Sequence, residues 1–227
     1  KEKLKSNVQV ARSLELTNQT GMVDWGPNIL FYIAAYLVGS IPFGLLLAKK
    51  YAGVNVQESG SKSIGATNVL RVVKQTNPAL AKKLGIATVL LDALKGAVVI
   101  LVAMMYGSSI ETLWAIAVIS VLGHCYSIYL SFEGGKGVAT GLGVFLVLIP
   151  IPTIIGALVW GFCAKVLKIS SISSLLGLIG VVISAIVLND GLEVDSNAPM
   201  YIITFIIFYK HIPNIVRLFK GEEGKVA

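Results

Sequence analysis

Charged side chains are scarce in this sequence of 227 residues: only 14% are Asp, Glu, Lys or Arg, whereas 55% are hydrophobic. The mean hydropathy is +0.79. Soluble globular domains carry about 25% charged residues, so this composition excludes an ordinary soluble protein. The net charge is +7, but the basic residues lie between hydrophobic runs and form no long patch interleaved with aromatic residues. We therefore expect a membrane protein that binds no nucleic acid.

Cysteines are few, and nucleotide-binding motifs are missing. Cys125 and Cys163 both lie inside hydrophobic runs, and neither has a His, Cys or Asp at the spacing of metal ligands. The Walker pattern is absent because no Gly-Lys is followed by Ser or Thr, and Gly-x-Gly-x-x-Gly is absent too. The sequence therefore predicts no disulfide framework, no metal site and no cofactor, and it gives no support for a lipid-phosphate kinase or phosphatase.

The first 21 residues differ from the rest of the chain. They are polar and contain no hydrophobic core, so they do not form a signal peptide. The composition changes abruptly at Met22. We interpret residues 1–21 as a leader or cloning remnant and residues 22–227 as a single transmembrane domain.

Long hydrophobic runs dominate that domain. The first, Asn28–Ala48, is long enough to cross a bilayer. Another, Val138–Val166, is interrupted by Pro150 and Pro152, and we expect it to be split there into two short crossings. With that split the sequence predicts seven transmembrane helices, at residues 28–48, 84–106, 112–130, the two halves of 138–166, 171–188 and 199–209.

The distribution of charge supports this count. The loop 49–83 carries seven basic residues and a single acid, whereas the turns 107–111 and 189–197 carry only acids. Splitting the run at residues 138–166 places every basic loop on one side of the membrane, as the positive-inside rule requires. We therefore predict an all-α integral membrane protein with seven transmembrane helices, some short or broken. Its amino end lies outside and its carboxyl end in the cytoplasm.

Three polar stretches are predicted to share the cytoplasmic face. In residues 132–143, the glycines at 134, 135 and 137 allow backbone N–H groups to converge, and Lys136 adds a full charge. If a helix begins just after them, its amides and dipole favour an anion further. The stretch therefore suits a phosphate cradle, although a plain glycine-rich turn has the same composition.

The other two stretches also carry groups that can bind anions or move protons. Residues 60–71 combine hydroxyls, an amide, glycines and two cations, which suits either anion binding or a solvated loop. In residues 210–223, His211, Asn214 and Arg217 could share one helix face, and a histidine can move protons near neutral pH. The alternative for this last stretch is an anchor for anionic lipid headgroups.

Two ionisable residues interrupt one of the predicted membrane helices. Asp92 and Lys95 are three residues apart, so they lie on one helix face. We interpret them as a structural ion pair that holds a neighbouring loop, because an unpaired charge in hydrocarbon is costly. His124, near the end of the next span, is interpreted as a packed or interfacial histidine that could also serve a site.

The polar stretches together resemble the bacterial acyl-phosphate:glycerol-3-phosphate acyltransferases, the PlsY family. The resemblance covers nearly all of residues 28–223. It rests on Gly-Ser-x-x-Ile-Gly-Ala-Thr-Asn-x-x-Arg at 60–71, Asp-x-x-Lys-Gly at 92–96, Gly-Gly-Lys-Gly at 134–137 and His-x-x-Asn-Ile-x-Arg-Leu at 211–218. One departure is Lys62-Ser63, where the family commonly has Gly-Asn.

This resemblance implies a multi-pass enzyme of the bacterial cytoplasmic (inner) membrane with its active site facing the cytoplasm. It would transfer a fatty acyl group from acyl phosphate to the 1-hydroxyl of glycerol 3-phosphate, giving lysophosphatidic acid and inorganic phosphate. Its expected partners are these substrates and membrane lipids. Neither histidine is followed five positions later by Asp, as in His-x-x-x-x-Asp acyltransferases, and no covalent acyl-enzyme is indicated.

We therefore expect direct attack by the glycerol hydroxyl, promoted by positioning and charge stabilisation. The expected catalytic residues are Ser61, Arg71, Lys136, His211 and Asn214. The expected substrate-binding residues are Ser63, Thr67, Asn68, Gly134, Gly135 and Gly137. His211 with Asn214 would orient or deprotonate the hydroxyl, unless the donor phosphate takes the proton. The alternative function is a small phosphate or organic-anion transporter, although transporters usually show repeated halves and a midplane site.

Overall fold

The computed structural model describes residues 25–188 and 196–225. The stretch interpreted as a leader and most of the acidic loop 189–197 lie outside these described residues. Within them the chain forms ten α-helices, one short 3-10 helix at Ile128–Leu130 and no strand. The helices are α1 (Trp25–Ser40), α2 (Phe43–Ala52), α3 (Ala66–Val73), α4 (Pro78–Met105), α5 (Ile110–Cys125), α6 (Val138–Leu148), α7 (Pro150–Leu167), α8 (Ser170–Leu188), α9 (Ala198–Lys210) and α10 (Ile212–Phe219).

The chain divides into two units, with the boundary between Leu30 and Phe31. Of the first unit, residues 25–30 are described, and they form the first turns of α1. The second unit contains the remaining helices and the hydrophobic core. Its lipid-facing positions are large and apolar, and Leu158, Phe162 and Val187 are each about 70% exposed. Such an apolar surface is stable only in a hydrocarbon environment.

Five helical segments of the described chain are long and apolar enough to cross a membrane: Asn28–Ala52, Pro78–Met105, Ile110–Leu130, Pro150–Leu167 and Ser170–Leu188. A sixth results if α9 and α10, which are bent by 50° at His211, form one broken span. The helix α6 is apolar but short. The predicted all-helical membrane fold is confirmed, whereas the count of seven crossings and their orientation remain predictions.

The expected split at the proline pair is present. Helix α6 ends at Leu148 and α7 begins at Pro150. Proline has no N–H to donate and clashes with the preceding turn, but it fits the first position of a new helix. Two separate helices therefore replace one long span, and the start of α6 remains beside the glycine-lysine stretch.

The ion pair on α4 holds another helix break in place. The Lys95 ammonium lies 2.8 Å from the Asp92 carboxylate, and both side chains are almost fully buried. The same ammonium donates a hydrogen bond of 2.7 Å to the carbonyl oxygen of Ile41, between α1 and α2. Pairing with both groups compensates the lysine for the loss of water. The pair thus ties α4 to the break between α1 and α2.

Candidate active site

A cavity of about 260 Å³ opens among the ends of several helices. Its wall contains residues from all three polar stretches and from α4, α6, α7 and α8. The five expected catalytic residues all line it: Ser61, Arg71, Lys136, His211 and Asn214. These residues are up to 153 positions apart, from Ser61 to Asn214, and the helix packing brings them to one place.

Four of the expected substrate-binding residues also line the cavity, namely Ser63, Thr67, Asn68 and Gly137. Gly134 and Gly135 instead lie against the end of α5. The N–H of Gly135 donates to the carbonyl oxygen of His124 at 3.0 Å, and an added Cβ at Gly135 would overlap the His124 ring. The two glycines therefore allow the turn to pack closely on α5, and the Gly135 amide already has a protein partner.

Asn68 organises the loop that carries Ser61. Its side-chain oxygen accepts a hydrogen bond from the Ser61 N–H at 2.8 Å. Its amide nitrogen donates to the carbonyl oxygens of Val56, Ser59 and Ser63 at 2.8, 3.1 and 2.9 Å. Because this side chain is buried with all its hydrogen bonds made inside the protein, it fixes the loop in one conformation.

Three helices begin at the polar end of the cavity. The first residues of α3, α6 and α8 all line it, and so do the residues just before α3 and α6, Gly65 and Gly137. Gly137 has φ +83, which glycine adopts without strain, and α6 starts directly after it. Free N–H groups and positive dipole ends at helix N-termini attract anions. Three such ends at one cavity favour phosphate ligands.

Two cations complete this polar end. In the part of the chain that the structure describes, neither Arg71 nor Lys136 forms a side-chain hydrogen bond or ion pair with the protein. Burial lowers the pKa of Lys136, Glu223 partly opposes this shift, the positive charges of Arg217 and Arg71 add to it, and the resulting pKa is about 8. Arg71 and Lys136 are therefore available to an anionic ligand.

His211 and Asn214 lie where α9 bends into α10, and both are buried. The Nδ1 of His211 lies 2.7 Å from the carbonyl oxygen of Ile207, an acceptor only. This contact assigns the proton to Nδ1 in the neutral ring and leaves Nε2 as an acceptor. The side-chain oxygen of Asn214 is buried without a hydrogen bond among the described residues. Both residues thus offer an acceptor for a substrate hydroxyl.

Sequence reasoning missed two further contributions to the cavity. Ser170, Ser171 and Ser174, from the first turns of α8, line it, and so does Glu223 from the carboxyl-terminal tail. The serines could have been noticed as a polar cluster at the start of a hydrophobic run. The position of Glu223 has no sequence signal, because it depends on how the tail folds back.

Asp92 and His124 reach the same cavity from α4 and α5. The His124 Nδ1 lies 3.7 Å from the Asp92 carboxylate, too far for a hydrogen bond. His124 is packed against the glycine turn, as its interpretation as a packed histidine implies. Asp92 thus lines the cavity, while its partner Lys95 bonds the α1–α2 break.

The other end of the cavity is apolar and lies between α6, α7 and α8. Its lining is mostly hydrocarbon, contributed by Leu142, Phe145, Gly156, Ala157, Trp160, Gly177, Leu178 and Val181. Along α8 the lining extends from Ser170 to Val181, which corresponds to about 16 Å at 1.5 Å per residue. The cavity therefore suits a ligand with an anionic head and a long apolar tail.

Comparison with known proteins agrees with this geometry. A family model described as glycerol-3-phosphate acyltransferase matches residues 29–221. The glycerol-3-phosphate acyltransferase of Aliarcobacter butzleri (strain RM4018) is 72% identical over 211 residues, which covers 93% of this chain and 98% of the relative.

Two crystal structures of PlsY, an integral membrane glycerol 3-phosphate acyltransferase, are 35% identical to this chain. The glycerol 3-phosphate form has a TM-score of 0.79 and covers 89% of this chain and 96% of its own. The lysophosphatidic acid form has a TM-score of 0.75 and covers 88% and 95%. With the match of the family model, these similarities show that the chain belongs to the glycerol-3-phosphate acyltransferase family.

Proposed function

We propose that this protein transfers a fatty acyl group from acyl phosphate to the 1-hydroxyl of glycerol 3-phosphate. The products are lysophosphatidic acid and inorganic phosphate. One observation carries the proposal: a single cavity joins a cationic end, where three helices begin, to an apolar end between α6, α7 and α8. Both substrates carry phosphate, and the donor also carries a long acyl tail, so the two ends match the two substrates.

The transfer is direct in this proposal. The glycerol hydroxyl oxygen forms a bond to the acyl carbonyl carbon, and the bond from that carbon to the donor phosphate breaks. Inorganic phosphate leaves with the electron pair, and the hydroxyl proton passes to a base. An acyl phosphate is a mixed anhydride with a good leaving group, so the protein contributes mainly positioning and stabilisation of developing charge.

The cations and helix ends hold the two phosphates. Lys136 and the N-terminal amides of α6 would hold the donor phosphate, whereas Arg71, with Ser61 and Thr67, would hold glycerol 3-phosphate or stabilise developing charge. Thr67 is itself oriented by a hydrogen bond of 2.9 Å with Ser170. In the alternative assignment, Lys136 holds glycerol 3-phosphate and Arg71 holds the donor phosphate.

Two routes are open for the proton. His211 offers an unprotonated Nε2 as a general base, and Asn214 offers an oxygen that can orient the hydroxyl. The donor phosphate itself is the second possible acceptor. Replacing His211 by Ala separates them: loss of a general base lowers kcat about 100-fold or more, whereas near-normal kcat with a raised KM would assign the proton to the phosphate. Circular dichroism of the variant in detergent controls for its folding.

We also propose that the protein resides in the bacterial cytoplasmic membrane with this cavity facing the cytoplasm. The basic loop 49–83 and the basic tail support that orientation by the positive-inside rule. A cysteine placed at the exposed Lys82 should be labelled by a membrane-impermeant maleimide only after the membrane is opened. Labelling in intact cells would contradict the orientation.

The activity is tested with purified protein in detergent, where no compartments exist. Acyl phosphate and glycerol 3-phosphate together should release inorganic phosphate and yield an equal amount of lysophosphatidic acid. A parallel reaction with an acyl thioester as donor tests the donor class. If folded protein released no phosphate with acyl phosphates of any chain length, the enzyme assignment would be wrong, and the transporter would become the better explanation.

A further inference from the structure

The carboxylate of Glu223 is held inside the polar end of the cavity. Its Oε1 accepts hydrogen bonds from the Ser171 hydroxyl at 2.7 Å and from the Asn214 amide at 2.6 Å. Its Oε2 accepts from the Nε of Arg217 at 2.9 Å. Only 8% of the Glu223 side chain is exposed, although the residue belongs to the carboxyl-terminal tail.

Two of the three groups that bind this carboxylate line the cavity. Ser171 is in the first turn of α8 and lines the cavity, and Asn214 is one of the expected catalytic residues. The charge of Glu223 also acts on Lys136, where it favours the protonated ammonium. Gly224, the next residue, also lines the cavity, and a Cβ added there would lie 3.5 Å from the Arg71 guanidinium. The tail thus brings an anion into the middle of the cationic cluster.

This carboxylate is ionised near neutral pH. Burial acts to raise the pKa of Glu223, but the hydrogen bonds from Asn214, Ser171 and Arg217 lower it below its ordinary value. An ionised carboxylate and a phosphate use the same partners, namely hydroxyl, amide and guanidinium donors. In a confined space they also repel each other. Glu223 and a substrate phosphate therefore cannot both use these donors fully.

We propose that Glu223 occupies the position where a substrate phosphate binds, which we call the phosphate seat, and that it competes with this phosphate for Ser171, Asn214 and Arg217. The proposal rests on the proposed function, because it is the phosphate of glycerol 3-phosphate or of the acyl donor that displaces the carboxylate. Glu223 then sets substrate affinity: the apparent dissociation constant rises by the inverse of the fraction of molecules in which the seat is vacant. The matched part of the family model ends at residue 221, before this residue.

Removing the negative charge tests the competition. In Glu223→Gln the side chain keeps its size but loses the ion pair with Arg217, and in Glu223→Ala it no longer reaches the donors. If the seat is occupied about 90% of the time, either variant lowers KM for the competing substrate about tenfold, and kcat does not fall. The matched control is Glu222→Gln, which removes the same charge from the neighbouring exposed residue and should leave KM within twofold.

Separate titrations identify the phosphate. A lower KM for glycerol 3-phosphate alone assigns the seat to the acceptor, and a lower KM for acyl phosphate alone assigns it to the donor. Unchanged KM values for both substrates would overturn the proposal. So would a lowered kcat with unchanged KM, because that result would make Glu223 a positioning residue that orients Asn214.

A binding measurement keeps this proposal separate from the proposed function. Calorimetry with inorganic phosphate or glycerol 3-phosphate, without acyl donor, should show tighter binding of at least one of them to Glu223→Gln than to the unmodified protein. If binding tightens but no acyl transfer is detected, the proposed function is wrong, whereas the competition between Glu223 and a phosphate is supported. If acyl transfer occurs and neither KM nor phosphate binding responds to Glu223, the competition fails alone.

Discussion

Lys136 provides the most detailed prediction, because both its charge and its environment are defined. It lies between the glycines at the start of α6, lines the cavity and has no ion-pair partner among the described residues. A hydrogen bond to a charged group is worth about 1.5–3 kcal/mol. Replacing Lys136 by Met should therefore lower kcat/KM about 10- to 150-fold, at about 1.4 kcal/mol per factor of ten.

The pH dependence adds a sharper signature. With a pKa of about 8, Lys136 is charged below pH 8 and loses its charge as the pH rises through that value. Since kcat/KM reports the free enzyme, it should fall as the pH rises above about 8 and level off at the roughly 10- to 150-fold loss expected for Lys136→Met. Phosphate monoesters lose their second proton near pH 6, so the substrates do not cause this limb. In the pH profile of kcat, the same decrease should occur at a higher pH, because a bound phosphate stabilises the charged ammonium.

The matched variant is Lys136→Arg. Arginine remains charged throughout the accessible range, so the limb near pH 8 should disappear even if the different shape of arginine lowers the activity at neutral pH. Lys82→Met, which removes an exposed lysine outside the cavity, should change kcat/KM less than twofold. A limb near pH 8 that persists in Lys136→Arg, or full activity of Lys136→Met, would refute the reasoning.

Two further predictions concern stability, measured as thermal unfolding in detergent. Asn68→Ala removes four hydrogen bonds and leaves the Ser61 N–H and buried carbonyls without partners. It should therefore lower the free energy of unfolding by about 2–3 kcal/mol. A loss below about 0.5 kcal/mol would show that the loop does not depend on Asn68. Lys62 has φ +59, in the left-handed region, where a side chain costs about 1 kcal/mol. Lys62→Gly should therefore raise the free energy of unfolding by up to that amount. A lower free energy of unfolding would contradict strain at Lys62.

Most of the long hydrophobic helices and the break at Pro150 could be predicted from the sequence, whereas α3 lies in the stretch 49–83 that was expected to be a loop. Hydropathy runs set the positions of α4, α5 and α8, and Pro150 set the boundary between α6 and α7, because proline cannot continue a helix. The pairing of Asp92 with Lys95 followed from their spacing on one helix face and the cost of a lone buried charge. These features depend on local chain geometry, which the sequence displays directly.

The composition of the cavity could be predicted only in part. Motifs marked Ser61, Arg71, Lys136, His211 and Asn214, and the helix packing brings all five to one cavity. The role of Asn68 as the organiser of its loop and the packing of the glycine turn on α5 depend on contacts that no motif encodes.

The tail was harder to predict. Glu223 reaches Ser171 across 52 positions of the chain, and such a contact follows from tertiary folding rather than local pattern. At Lys62, where the resemblance implies a glycine, the backbone is left-handed, a conformation that glycine adopts without strain and that this chain imposes on a lysine.

Direct transfer of the acyl group is the central claim, and isotope exchange tests it most directly. Purified protein is incubated with acyl phosphate and labelled inorganic phosphate, first without glycerol 3-phosphate and then with it. We predict no label in acyl phosphate during the first stage, followed by stoichiometric formation of lysophosphatidic acid in the second. Exchange of label into acyl phosphate without glycerol 3-phosphate would reveal a covalent acyl-enzyme and contradict direct attack.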